Sequence, residues 1–481
     1  MAFSSPVFLF LFLPLILALY FIAPGKSKNL LLLAASILFY AWGDAHSLPI
    51  LLFLILVNYA VGFLIAQTGS RGFRAAALGL ALGVDLGFLL YFKYLKFAVA
   101  ILASSGLANP DHFDFTGRQL PLGISFFSFA AIAYQVDIYR KKTKAEKNLV
   151  NFALFLSHFA KLIAGPIERY ERMERELGAR CPQLETIVYG IRRFVIGLAK
   201  KMLIANPASW FVNEVFSNAG GVDMPTAWLG IVFYSIQIYF DFSGYSDMAI
   251  GLGRLFGFHF MENFNYPYIS QSIQEFWRRW HISLSTWFRG YLYIPLGGNR
   301  VSKGRIYFNL VVVFLLCGLW HGASWNFIAW GAYHGVFLAG ERAGLGRAVG
   351  SLWKPLRHAY AILVIMIGWV FFRAEDLAQS FHYLHAMFSF SAGSVKSFEY
   401  YSMTFLNRQL MLVFLVGIIG SAPVSVLANR LREKMETRGR LPTFASLNWS
   451  VLTTAFIVFL FVVSAMQVAI TTYTPFIYAK F

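Results

Sequence analysis

Two histidines stand where an imidazole could act as a base. His321 lies in Cys317-Gly-Leu-Trp-His-Gly-Ala-Ser-Trp325, inside a stretch from Ile306 to Gly340 that holds no Asp, Glu, Lys or Arg. An ionisable side chain at membrane depth is costly, so it reads first as a functional group facing protein or water. A neutral imidazole in an apolar cavity suits removal of a proton from a hydroxyl. Gly318 and Gly322 on either side would let another group approach the backbone closely. His281 lies in Glu275-Phe-Trp-Arg-Arg-Trp-His-Ile-Ser-Leu-Ser-Thr-Trp-Phe-Arg289, an aromatic and basic setting typical of the membrane–water interface. On its spacing alone it reads equally as a packed interfacial histidine.

Other residue types offer weaker chemistry. Cys317 precedes His321 by one helical turn and would share its face, as a Cys–His nucleophile pair requires. The commoner fate of a lone cysteine is a small buried hydrophobe, and that is the expectation here. Asp241 and Asp247 sit in or at the end of an apolar helix, so they either line water or pair with a cation such as Arg254. His334 is expected to be structural, bonded across helices. No metal-binding spacing of His, Cys, Asp and Glu is present, nor a nucleophile elbow or phosphate loop. No metal and no bound cofactor are expected.

The elements that must position these residues are membrane helices. The chain is 58% hydrophobic and 13% charged, and apolar runs of spanning length recur from 7–23 to 450–470. The expected architecture is all-α and polytopic, with roughly 11 crossings. The Ile306–Gly340 run is too long for one crossing and should break near Gly322. The first run lacks a basic leader and reads as a retained helix. Cys181 and Cys317 imply no disulfide framework, and Cys181 reads as an inert loop thiol.

Net charge is +18, but the basic residues lie between apolar runs, at Lys26 and Lys28, Arg71 and Arg74, Arg140–Lys147, Arg192–Lys201, Arg278–Arg305 and Arg430–Arg440. That is a positive-inside pattern, facing lipid headgroups rather than nucleic acid. It puts the N-terminus outside, the 24–29 and 67–74 loops in the cytoplasm, and Asp111 and Asp114 outside. Residues 167–185 alternate acid and base and predict a solvated interfacial helix. Residues 259–305 are too polar to cross, yet rich in Trp and Tyr, and predict short interfacial or re-entrant helices. His281 would then stand on an interfacial element and His321 on a membrane helix.

Gln237–Gly251, Glu275–Trp287 and Leu296-Gly-Gly-Asn-Arg300 resemble the membrane-bound O-acyltransferase family, in particular its bacterial alginate O-acetylation branch. Gly318-Leu-Trp-His-Gly-Ala323, Leu120-Pro-Leu-Gly-Ile-Ser125, Leu162-Ile-Ala-Gly-Pro166 and Pro475-Phe-Ile-Tyr478 fit the same pattern, from which Cys317, Ala479 and Lys480 depart. The likeness spans nearly the whole chain as a single domain, 1–481, and is most specific over 118–336.

The resemblance implies a helical fold around a tunnel through the bacterial inner membrane. His321 would be the catalytic histidine, and His281 would occupy the family's second functional position, a His or Asn. Trp320, Cys317, Asp241, Ser243, Tyr245, Trp280, Arg278, Arg279 and Asn299 become candidates for lining the path of substrate. The donor would be a cytoplasmic acyl thioester, most simply acetyl-CoA, and the final acceptor an extracytoplasmic polysaccharide. Alginate leads, ahead of cellulose and peptidoglycan, and an SGNH-type periplasmic acetyltransferase partner would complete delivery. D-alanyl transfer from a carrier protein to teichoic acid is the alternative within the family. A transporter or scaffold is the alternative outside it, against which stands the lack of an internal repeat. With Arg300–Arg305 in the cytoplasm, His321 would lie ~24 Å along its helix, away from a mouth where His281, Arg278 and Arg279 would stand.

Overall fold

The structure, a computed structural model, describes residues 1–109, 112, 113, 115, 119–218, 221–389, 407–437, 443–470, 476 and 477. Asp111, Asp114, Pro475, Tyr478, Ala479 and Lys480 lie outside the described residues. The described residues form helices and no strands. A backbone in the core of a bilayer must find its hydrogen bonds inside the protein, and a helix supplies most of them within itself.

Ten helices position the site. They are α1 (Arg71–Leu89), α2 (Leu95–Ser104), α3 (Ile124–Tyr139), α4 (Leu184–Ala199), α5 (Met224–Leu255), α6 (Ile273–Arg279), α7 (Ile282–Phe288), α8 (Lys303–His321), α9 (Trp325–Gly340) and α10 (Lys354–Arg373). Five described segments are long and apolar enough to cross a membrane: Leu48–Gln67, Arg71–Ser104, Lys303–His321, Lys354–Arg373 and Trp449–Ile470. Shorter apolar helices cover Phe8–Ile22, Ile124–Tyr139 and Arg408–Gly420. Within 167–185 a helix forms at Tyr170–Gly178, burying Tyr170, Met173 and Leu177.

At 32 residues, α5 is about 48 Å long and buried along most of its length. Asp223 caps it by accepting from the Thr226 N–H at 2.9 Å, and Pro225 occupies its first turn. Its tightest neighbour is α4, where glycines face glycines. A methyl group added to Gly190 would lie 2.8 Å from the Gly251 carbonyl oxygen, so only hydrogen fits between these backbones.

The break expected at Gly322 is present. Gly322 has extended backbone (φ −170°, ψ 150°), which ends α8 at His321, and the chain restarts as α9 at Trp325. The two helices pack as a close hairpin, because a side chain on Gly318 would overlap the Phe327 carbonyl.

Candidate active site

His321 is the last residue of α8 and is buried. Its ring is bounded by three aromatics, with centroids at 4.9 Å (Trp320), 5.0 Å (Trp330 of α9) and 5.1 Å (Phe372 of α10). The α10 end is tied to this corner by Asn326, whose amide donates to the carbonyls of Phe371 and Ala374 at 3.2 and 2.7 Å. The first belongs to the last turn of α10 and the second to its C-cap, where no intrahelical donor remains. Three helix ends therefore converge on one imidazole.

His281 is placed differently. It takes left-handed backbone (φ 44°, ψ 55°) where the chain turns from α6 into α7, a conformation that costs a non-glycine residue free energy. Its Nδ1 faces the Asn263 side-chain Oδ1 at 3.1 Å, and the same oxygen accepts from the Ser283 hydroxyl at 2.9 Å and the Ser283 N–H at 3.2 Å. The Asn263 amide donates to Ser246 on α5 at 3.1 Å. A carbonyl oxygen opposite Nδ1 requires the proton there, which leaves Nε2 as the acceptor nitrogen of a neutral ring. The rest of the bed is aromatic, with Phe242 at 4.6 Å and Trp320 at 6.1 Å.

The expectation that His281 stands at a cytoplasmic mouth is corrected by this burial: it is 1% exposed. His281 and His321 both pack against Trp320, near enough to each other to interact electrostatically. The 259–305 segment folds back on itself because Asn263 and Asn265 hydrogen-bond the backbone of 279–282, through Ile282 N–Asn263 O and Asn265 N–Arg279 O, both 2.9 Å.

One helical turn before His321, Cys317 lines a cavity of about 190 Å³. Its wall is largely aromatic and aliphatic, including Trp277, Phe288 and Phe314, with Ser285, Arg289 and Tyr293 as its polar members. Trp277 and Trp330 meet edge to face at 5.6 Å, which connects the cavity wall to the bed of His321.

The remaining candidates divide. Trp320 is central. Trp280 is one layer out, packed on Phe264, Phe276 and Trp369 at 5.0, 5.5 and 4.9 Å. Asp241 and Asp247 are ion-paired, but with α4 and its continuation rather than with Arg254. Asp241 meets Lys201 at 2.6 Å; Asp247 meets Arg193 and Lys200, each at 2.7 Å. Arg254 instead lies over the Tyr189 ring at 5.4 Å. The other Asp241 oxygen accepts from the Ile477 N–H at 2.8 Å. Tyr245 is stacked between Phe3 and Phe476 at 4.8 and 4.7 Å, and the Ser243 hydroxyl is 3.4 Å from Lys200. These residues brace the chain's tail against α5.

Arg278, Arg279 and Asn299 are not brought to the histidines. Arg278 is exposed, Arg279 pairs with Glu275 one turn back at 2.8 Å, and exposed Asn299 accepts from the Tyr293 hydroxyl at 2.7 Å. In a seven-residue helix, the face that buries Phe276 and Trp277 turns the arginines outward. His334 is buried, yet makes no hydrogen bond across helices among the described residues. It is caged by Trp277 and Trp330 at 5.1 and 5.2 Å. No metal-holding group of three or more ligands occurs among the described residues.

Sequence reasoning missed two residues. Asn263 carries no signal in a polar loop. Lys93 does: it follows Leu89-Leu-Tyr-Phe in an apolar helix, but reading the run as ending at 92 made it a flanking charge. Its Nζ is 2.5 Å from the Trp320 carbonyl oxygen and 3.3 Å from the Ser125 hydroxyl.

The pattern of the MBOAT, membrane-bound O-acyltransferase family, matches residues 125–372. A probable alginate O-acetylase AlgI of Azotobacter vinelandii is 48% identical over 427 residues, covering 87% of this chain and 84% of its own. A protein of the same name from Pseudomonas putida is 43% identical across 100% of both chains. A peptidoglycan O-acetyltransferase of Helicobacter pylori is 37% identical, covering 84% of this chain and 83% of its own. Since the matched span takes in both histidines and the helices that carry them, the chain belongs to the membrane-bound O-acyltransferase family and is an O-acyltransferase embedded in a membrane.

Proposed function

We propose that the protein is a single-domain enzyme that transfers acetyl from a thioester donor, acetyl-CoA, for O-acetylation of an extracytoplasmic polysaccharide. The observation that carries this reading is the placement of His321 and His281 around Trp320, one turn beyond a mostly apolar cavity. A thioester arm in that cavity, with its charged end toward Arg289, would bring its carbonyl to the histidines. His321 takes the proton of the acceptor hydroxyl, the oxygen forms a bond to the thioester carbonyl carbon, and the C–S bond breaks. The proton then passes to the leaving thiolate. His281, its Nδ1–H held by Asn263, orients the acceptor hydroxyl through Nε2.

Polysaccharide is the acceptor class because relatives covering more than four-fifths of the chain carry alginate and peptidoglycan O-acetylation in their names. Alginate leads, since the proteins named for it share more identity. The basic loops support a cytoplasmic donor side in the bacterial inner membrane. The acetyl group then leaves on the opposite face, to a periplasmic acetyltransferase partner.

Proteoliposomes supplied with radiolabelled acetyl-CoA test the mechanism. Wild type transfers label, while His321→Ala, still folded, falls by about 10²–10⁴-fold; label transfer undiminished in that variant would end the proposal. Cys317→Ser keeps transfer within about twofold, because a hydroxyl fills the same space and no acyl-cysteine is needed. Acetyl content of the exopolysaccharide in a deletion strain identifies the acceptor.

A further inference from the structure

A helix that ends inside a membrane must dispose of its last carbonyls. At the end of α8 the Gly318 carbonyl accepts from the Gly322 N–H at 3.2 Å. The next two have no donor from their own helix. Both are met by consecutive residues of another helix: the Tyr94 hydroxyl donates to the Leu319 oxygen at 2.8 Å, and Lys93 Nζ donates to the Trp320 oxygen at 2.5 Å. Lys93 also lies over the Trp320 ring, 5.6 Å from its centroid, and reaches Ser125 in the first turn of α3.

Two features make this more than ordinary packing. Lys93 and Tyr94 sit on a π-helical turn, Leu90–Tyr94, between α1 and α2. One extra residue in the turn rotates both side chains relative to an unbroken α-helix, and such turns recur at functional positions. The ammonium also has no carboxylate at ion-pair distance among the described residues. Its charge is met by the negative end of α8 and by an indole face.

We infer that Lys93 is a positioning residue for the transfer reaction: with Tyr94 it clasps the last turn of α8, fixing where His321 and the Trp320 ring stand relative to His281. This rests on the function proposed above for His321. The clasp explains how an imidazole at a frayable helix end can be held to the tolerance that proton transfer demands. A shift of about 1 Å at such a site is enough to cost orders of magnitude in rate.

The test compares Lys93→Met, Lys93→Arg and Tyr94→Phe in the full-length protein, by hydrogen exchange in nanodiscs and by label transfer from acetyl-CoA in proteoliposomes. In Lys93→Met, amides of residues 317–322 exchange about tenfold or more faster while other helices are unchanged. Its kcat falls about tenfold or more, with the donor KM within about twofold. Tyr94→Phe gives the same signature more weakly, and Lys93→Arg, which keeps charge and donors, recovers most of the loss. Unchanged exchange at 317–322, or a wild-type kcat beside an inactive His321→Ala protein, overturns the clasp. If His321→Ala retains transfer, the functional reading falls instead, while the exchange result still decides whether Lys93 holds the turn. Should Lys93→Met not fold, Tyr94→Phe decides both readouts.

Discussion

The two histidines of the site stand on different kinds of backbone. His321 belongs to a regular helix and is placed by helix ends, glycine contacts and aromatic walls. His281 belongs to an irregular stretch and is placed by a left-handed backbone and an asparagine that bonds its ring. Packing of the first kind fixes position, whereas a directed hydrogen bond of the second kind also fixes which nitrogen carries the proton. A base and an orienting group alike need both position and tautomer fixed.

The contrast can be broken most strongly at the rings themselves. His321→Ala is expected to remove nearly all transfer, whereas His281→Ala should cost about 10²-fold and His281→Asn less, since an amide can keep one of the two polar roles. Equal losses in purified-enzyme assays would mean that both act as bases. Next comes Asn263→Leu, which removes the acceptor shared by His281 and Ser283. Transfer should fall about tenfold with α8 intact, and His321-dependent residual rate should remain. A loss equal to that of His321→Ala would show that the two beds are not separable.

Gly318→Ala attacks the other bed. The methyl group overlaps the Phe327 carbonyl, so the hairpin must open, at about 1–3 kcal/mol of stability, with a lower unfolding temperature and reduced kcat. An unchanged melting temperature would contradict the close packing. The smallest effect concerns the loop leading to Asn263. Glu168 accepts from the Met261 N–H, and burial pushes its carboxyl up to about 7. An unfolded glutamate titrates near 4.3, so between that pH and about 7 the folded chain holds the extra proton. Stability from this group therefore falls as pH rises across that window. Glu168→Gln should flatten the fall and stabilise the protein above pH 7, read as melting temperature against pH; an unaltered slope would remove Glu168 from the account.

The site was legible in part. His321 stood out because an imidazole is rare in so long an uncharged run, and the hairpin break was marked by Gly322. Asp241 and Asp247 were recognisable as costly, and ion pairing proved to be their fate, but their partners are cations of α4 and its continuation. Sequence distance could not select between Arg254, seven residues from Asp247, and Lys200, forty-seven away. Arg278 and Arg279 misled because proximity in sequence to His281 does not survive the turn at His281 itself, where the backbone changes direction. Lys93 was lost at a helix boundary that charge seemed to mark and a π-helical turn instead carries through.

Composition and motif spacing by themselves determined that the chain is a helical membrane protein, that His321 is its foremost candidate for chemistry, and that it resembles an acyltransferase. Those properties are local: hydrophobic run length and a titratable group out of place can be read residue by residue. Only the tertiary structure decided that His281 is buried beside Trp320 instead of standing at a mouth, that Asn263 orients it, and that Lys93 and Tyr94 close the end of α8. Those depend on which helices meet. In an apolar slab, unsatisfied carbonyls and rings must find partners wherever packing provides them, however far along the chain.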